Sequence, residues 1–284
     1  MPNVTKQTTK PRKRKKGGKV VDRIQPIGFD KKDGIKINLY GRSGTGKTTL
    51  WATFPKPILA VVCSGGSQPG ELRSINTPAY RKTINQVVIE SSEEIKELVE
   101  YQKETNKYAT IVLDHATGLQ DYVLREVLGI DQAPAQLSWG VASQQQYGQV
   151  ALQMKERLRS LLDLDCNVVI VAQEREFNTD SEGDLLMPFV GSALTPSVTG
   201  WLNPACDYIC QTFIRQVSEQ VTIKLGNKEV KKSRKGAGVE YCLRTAPDPV
   251  FITKFRIPKG VDLPDVIVDP DFDKINQLIT GQGS

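Results

Sequence analysis

Apolar positions along this chain fall into two alternating textures. Ile58-Leu59-Ala60-Val61-Val62-Cys63, Thr110-Ile111-Val112-Leu113-Asp114 and Asn167-Val168-Val169-Ile170-Val171-Ala172 are short runs in which nearly every position is apolar. Such runs predict strands buried on both faces, as in a parallel sheet. Ile35 to Tyr40 alternates and is rich in strand formers, and Gln86 to Glu90 is a further strand candidate. Between these runs the spacing becomes helical. Leu119, Tyr122, Val123 and Val127 share one face over 117–128, and Tyr147, Val150, Met154, Leu158 and Leu161 share one over 141–163. Ser91 and Glu94 have capping-box spacing, which predicts a helix running to about Thr105. Strands alternating with helices in this way predict an α/β, doubly wound, mostly parallel sheet.

After Gln173 the texture changes. Gly183, Pro188, Gly191 and Pro196 break any period over the next stretch, and three strand-like runs follow: Cys206–Ile214, Gln220–Leu225 and Val239–Arg244. The last two are joined by 226–238, which carries Lys228, Lys231, Lys232, Arg234 and Lys235. This predicts a C-terminal antiparallel hairpin extension with a basic tip. A short helix, Phe272 to Ile279, closes the domain. With no internal repeat or linker inside it, 31–280 reads as one domain.

Charge divides the chain differently from its sum. The net charge is +6, yet residues 1–23 alone carry nine Lys/Arg against Asp22, or +8, and the rest carries −2. Residues 1–30 therefore read as a disordered basic arm, too polar and self-repelling to offset the entropy of ordering, attached to a nearly neutral body. No apolar stretch is long enough to span a membrane, so no membrane partner is expected. Five scattered cysteines, an odd number, and no secretory pattern suit a reduced compartment. Cys206 and Cys210 read as small apolar strand residues, because the one histidine, His115, lies far away in sequence.

The candidate chemistry sits between the first strand and the first helix. Gly41-Arg42-Ser43-Gly44-Thr45-Gly46-Lys47-Thr48 matches G-x-x-x-x-G-K-[ST] in full. Glycines allow the tight turn that aims successive N–H groups at a phosphate, and the helix N-terminus adds partial positive charge. Lys47 can reach the β- and γ-phosphates, Thr48 can offer a hydroxyl to Mg2+, and Thr49 continues the binding segment. ATP with Mg2+ is the implied ligand. Asp114 ends an apolar strand, where an acid emerges at the carboxyl edge of the sheet and can hold the metal. Gln173 ends the next apolar strand at the same edge, as a candidate to sense the γ-phosphate or orient water.

Taken in order, Gly41–Thr48, Thr110–Asp114 and Val168–Gln173 resemble the RecA-like core of P-loop NTPases. The chain is similar to phage-type nucleotide-binding proteins with an AAA-like domain, among them the Sak-four single-strand-annealing group. Phe54-Pro55-Lys56-Pro57, Gly65-Gly66, Trp139-Gly140, Tyr147 and the stretch from Pro188 to Asp207 add to the likeness, which covers roughly 35–270. The resemblance implies a cytoplasmic, possible homo-oligomeric ATPase of phage or prophage origin that acts on single-stranded DNA in recombination or annealing. It also implies that the loop after Val168–Gln173, about 174–200, lies near DNA.

One departure leaves the chemistry open. The resemblance implies an acid just before Gly65-Gly66 to polarise the attacking water, and Ser64 stands there. Glu71 and His115 are alternative bases, and a nucleotide switch with weak or no hydrolysis is the competing reading. Lys254 and Arg256 are candidates for an arginine-finger role or for a solvated strand face. A small-molecule kinase would call for an arginine-rich lid, whereas Glu174 to Asp184 holds Arg175 alone. The arm reads as a phosphate-binding tail for nucleic acid, as a solubilising tail, or, in a eukaryote, as an import signal.

Overall fold

The structure is a computed structural model that describes residues 34–63, 71–129, 143–177, 189–225 and 228–282. The arm, Ser64-Gly65-Gly66 and Trp139-Gly140 lie outside the described residues.

In chain order the elements are β1 (Lys36–Gly41), α1 (Lys47–Trp51), β2 (Ile58–Val62), a 3-10 turn (Glu71–Ile75), α2 (Pro78–Arg81), β3 (Ile84–Val88), α3 (Glu94–Thr105), β4 (Thr110–Asp114), α4 (Ala116–Leu128), α5 (Gln144–Leu162) and β5 (Asn167–Ala172). There follow β6 (Glu174–Phe177), β7 (Phe189–Ser192), α6 (Pro196–Ala205), β8 (Tyr208–Leu225), β9 (Lys228–Arg244), β10 (Val266–Val268) and α7 (Phe272–Thr280). The main sheet has the order β10-β9-β8-β1-β5-β4-β2-β3. From β8 to β3 every pairing is parallel, and β9 and β10 add antiparallel edges. This is the RecA-like P-loop NTPase fold with its antiparallel C-terminal hairpin.

The near-continuous apolar runs have the cause expected of them, burial on both faces. Ile37, Leu39, Val112, Val169 and Val171 pack with Leu50 and Trp51 of α1 and Ile275 of α7 on one side. Val61, Leu113, Val168 and Ile170 pack with α3, α4 and α5 on the other, through Ile95, Leu119, Val123, Met154 and Leu158. Fully burying one such side chain contributes roughly 1.5–3 kcal/mol, so these two layers hold the strand ends in place. Tyr147 departs from the expected helical stripe. It lies in the first turn of α5, whose Ser143 and Gln146 form the capping box, and it is exposed.

Several boundaries differ from expectation. At α3, Ser91 does not cap the helix. Glu94 Oε1 instead accepts from the N–H groups of Glu90 and Ser91 and from the Ser91 hydroxyl. Phe189–Ser192 and Pro196–Ala205 are ordered elements where glycines and prolines predict irregular chain. β7 pairs with β6 in a separate two-stranded sheet, and Pro196 serves as an opening residue of α6. The largest correction concerns the hairpin. The runs over 206–214 and 220–225 are one strand, β8, and the residues read as a basic loop belong to β9, with Leu225 opposite Lys228. Ladder pairing on both sides of a register shift between Gln216 and Ser218 outweighs the low strand propensity of the lysines.

β8 pairs with β1 from Tyr208 to Thr212, and β9 pairs with β10 from Cys242 to Arg244. Beyond Thr212 and Cys242 the described pairing of these strands is with each other, which makes a two-stranded ribbon. At 3.3 Å per residue it reaches about 40 Å past the sheet. Because β8 is parallel to β1, the ribbon leaves the sheet at the edge where β1 ends.

Candidate nucleotide site

The segment between β1 and α1 turns through Gly44 at φ 80° and Gly46 at φ 89°. These left-handed values are ones that side-chain-bearing residues adopt at a cost of about 1–2 kcal/mol. A Cβ on Gly44 would meet nothing within 4 Å, so this part of the loop is open. Gly41 is required for a different reason: a Cβ there would stand 2.3 Å from the Thr212 carbonyl oxygen of β8. Thr45 is buried and stiffens the loop, its hydroxyl 2.8 Å from the Arg42 carbonyl and 2.7 Å from the Thr212 hydroxyl.

Lys47 is 9% exposed, and its ammonium donates to the carbonyls of Gly41 at 2.7 Å and Arg42 at 2.6 Å. Burial pulls this ammonium below the usual lysine range, and the carboxylates of Asp114 and Glu174 act against that fall. A buried cation beside open glycine backbone at the start of a helix is an arrangement suited to an anion. Thr48 is half-buried beside it, and Ser43 and Thr49 are exposed.

Asp114 ends β4 and is 6% exposed. Its Oδ2 accepts from the indole N–H of Trp51 at 3.2 Å, so the last residue of α1 holds the acid in position. Gln173 follows β5, which lies between β1 and β4, and is half-buried. Its main chain is fixed by Thr117 at 3.4 Å and by the Ala193 N–H at 2.7 Å. The parallel register therefore brings the loop, Asp114 and Gln173 to one edge of the sheet.

The open candidates separate. His115 caps α4: its Nδ1 accepts the Gly118 N–H at 2.9 Å. A neutral imidazole bonded in that way carries its proton on Nε2, which leaves no free lone pair to take a proton from water. Lys254 is turned to the carbonyls of Asn203, Pro204 and Cys206 and holds the end of α6. Arg256 pairs with Asp207 at 2.9 Å. Ser64 lies outside the described residues.

Two residues near the loop escape a sequence reading. Glu174 Oε1 accepts from Arg42 Nε at 2.8 Å, although the two are 132 positions apart. The ring of Tyr241, on β9, would stand 3.1 Å from a Cβ on Gly46, so the base of the ribbon packs beside Gly46. The one signal for Glu174 was its place next to Gln173 at a strand end. Tyr241 carried no signal.

A family model described as AAA domain matches residues 33–257. Solved structures similar in fold include a KaiC-like protein from Pyrococcus horikoshii OT3, at 12% identity and TM-score 0.40, covering 84% of this chain and 90% of that one. The flagellar accessory protein FlaH from Methanocaldococcus jannaschii is similar at 11% identity and TM-score 0.44, covering 84% and 87%. No curated protein matches the sequence. Among the described residues no helix is long and apolar enough to cross a membrane.

Proposed function

This chain belongs to the AAA-domain family, and from that premise we propose that it binds ATP with Mg2+ at Gly41–Thr48 and Asp114, and hydrolyses it while acting on single-stranded DNA. The observation that carries the reading is the meeting of Lys47, the open glycine backbone and Asp114 at one sheet edge. The residues fit the ligand: a buried ammonium, free loop N–H groups and a fixed carboxylate complement a polyphosphate and a hard cation. Arg42 to Thr49 would hold the phosphates, and Thr48 and Asp114 the metal. When bound, the metal supplies charge neutralisation at the transferring phosphoryl group. Lys47 would hold phosphate oxygens in place, and Gln173 would position water at the γ-phosphate.

The DNA part rests on charge and position. β9 carries Lys228, Lys231, Lys232, Arg234 and Lys235, and its ribbon leaves the sheet at the same edge as the phosphate loop. Together with the basic arm it supplies two cationic segments on a chain whose remaining residues are net acidic, which suits phosphate contacts rather than base reading. A role in recombination or annealing, a phage or prophage source, a cytoplasmic location and a homo-oligomer complete the proposal.

A second reading, a nucleotide switch with weak or no hydrolysis, is favoured by Ser64 and by the engaged Nδ1 of His115. One experiment separates the two: ATP turnover and single-stranded DNA affinity, measured with and without each other, on wild type and Lys47→Ala. Turnover, or DNA affinity that changes with ATP, is expected in wild type and lost in the variant. Equal DNA binding with and without ATP and no turnover would sink the first reading. Normal ATP affinity in Lys47→Ala would remove the site.

A further inference from the structure

Glu174, the first residue of β6, has a side chain 13% exposed and stands outside the machinery named above. Its two carboxylate oxygens have different partners. Oε2 accepts from Gln211 Nε2 at 3.1 Å, Gln211 Oε1 accepts from Arg244 Nε at 3.1 Å, and Arg244 Nη1 meets Asp248 Oδ2 at 2.8 Å. The Arg244 guanidinium also lies over the rings of Phe213 and Phe251, at 5.0 and 4.4 Å. On this side Glu174 is anchored to the base of the ribbon. On the other side Oε1 holds Arg42, whose side chain is 82% exposed and which is the second residue of the phosphate loop.

Arg42 meets Glu174 through Nε, so a guanidinium drawn round to a phosphate must loosen this pairing or share its charge between two anions. Arg42 is the free end of this polar chain and Glu174 the fixed end. We propose that Glu174 is a positioning residue that competes with the nucleotide's phosphates for Arg42 and thereby limits how tightly the triphosphate is held. This rests on the nucleotide-site reading above. When Arg42 turns to the phosphates, Glu174 keeps Gln211 but loses its counter-charge, and that cost is subtracted from binding. The device also ties the loop to β8 and β9, because Gln211 and Arg244 belong to them.

A purely structural Glu174 would make the opposite prediction, since loosening the loop weakens a preformed site. The test is MgATP and MgADP affinity, by calorimetric titration at 0.15 M salt, of wild type, Glu174→Gln, Arg42→Ala and the double variant. Thermal unfolding confirms that each is folded. Glu174→Gln keeps the shape and an acceptor but removes the charge. It is expected to tighten MgATP about three- to fivefold, the upper range that one ion pair with an exposed partner supports, and MgADP less. In the Arg42→Ala background the same change should give less than about twofold, the part owed to screened repulsion alone. Weaker or unchanged MgATP binding in Glu174→Gln, or an undiminished gain in the Arg42→Ala background, overturns the proposal. If wild type takes up no MgATP, the nucleotide-site reading falls and the role of Glu174 with it. If wild type binds and the gain is absent, the role of Glu174 alone falls.

Discussion

Trp51→Phe tests how Asp114 is held. Trp51 is fully buried, and its indole N–H reaches Asp114 Oδ2 at 3.2 Å. Phenylalanine keeps most of the apolar ring and deletes the donor. A hydrogen bond to a charged acceptor contributes about 1.5–3 kcal/mol. The lost pyrrole portion leaves a cavity of a few tens of Å³, on the order of 1 kcal/mol at 24 cal/mol per Å³. The variant should therefore lose about 2.5–4 kcal/mol in urea unfolding at pH 7. The two parts separate in a double-mutant cycle with Asp114→Ala, where the acceptor is gone and only the cavity term remains. A coupling of about 1.5–3 kcal/mol is expected. A coupling below about 0.5 kcal/mol would refute the view that α1 fixes the acid through this bond. The result bears on function as well, since an acid that must hold a metal is useful only where its carboxylate is placed before the metal arrives.

Two further outcomes follow from the same structure. Burial pushes the thiols of Cys166 and Cys206 up to about 11 and about 12, from an ordinary thiol value of 9.0. Between about 9 and those values the unfolded chain has lost protons that the folded chain keeps, so stability should fall as pH rises through that window and stay flat below it; a urea midpoint that does not move between pH 8 and 11 would contradict this burial. Replacing Lys231, Lys232, Arg234 and Lys235 with glutamine should weaken single-stranded DNA binding and flatten its log–log salt slope by up to about 2.8, at 0.7 per phosphate contact. An unchanged slope, read by fluorescence anisotropy, would place the contacts elsewhere, and deleting 1–23 would then be the variant to carry the loss.

How far the site was legible depended on the range of the interaction. The phosphate loop was readable because its physics is local: Gly44 and Gly46 need positive φ, Lys47 must follow, and eight consecutive residues contain all of it. Asp114 and Gln173 were readable one step further out, because an apolar run that ends in a polar residue places that residue at a strand end. The ribbon was half legible. Gln220–Leu225 and Val239–Arg244 read as strand-like runs, but five basic residues hid the continuation of β9, which is set by pairing with β8 rather than by propensity. His115 could be named as a base from its position, and the cap it makes to Gly118 was out of reach until the backbone of α4 was placed.

The class of fold, the glycine-rich turn after β1 and the position of the strand-end acid were thus legible in sequence, because all three depend on short-range pattern and backbone permissiveness. Tertiary structure alone decided which distant residues serve that loop. Thr212 presses on Gly41, Tyr241 packs beside Gly46, Trp51 holds Asp114, and Glu174 grips Arg42 from 132 positions away. The Thr212 contact follows from the sheet order that seats β1 beside β8, and the others likewise join elements distant in sequence. The physical reason is that a period in sequence sets which face a side chain occupies, whereas strand order sets what that face meets.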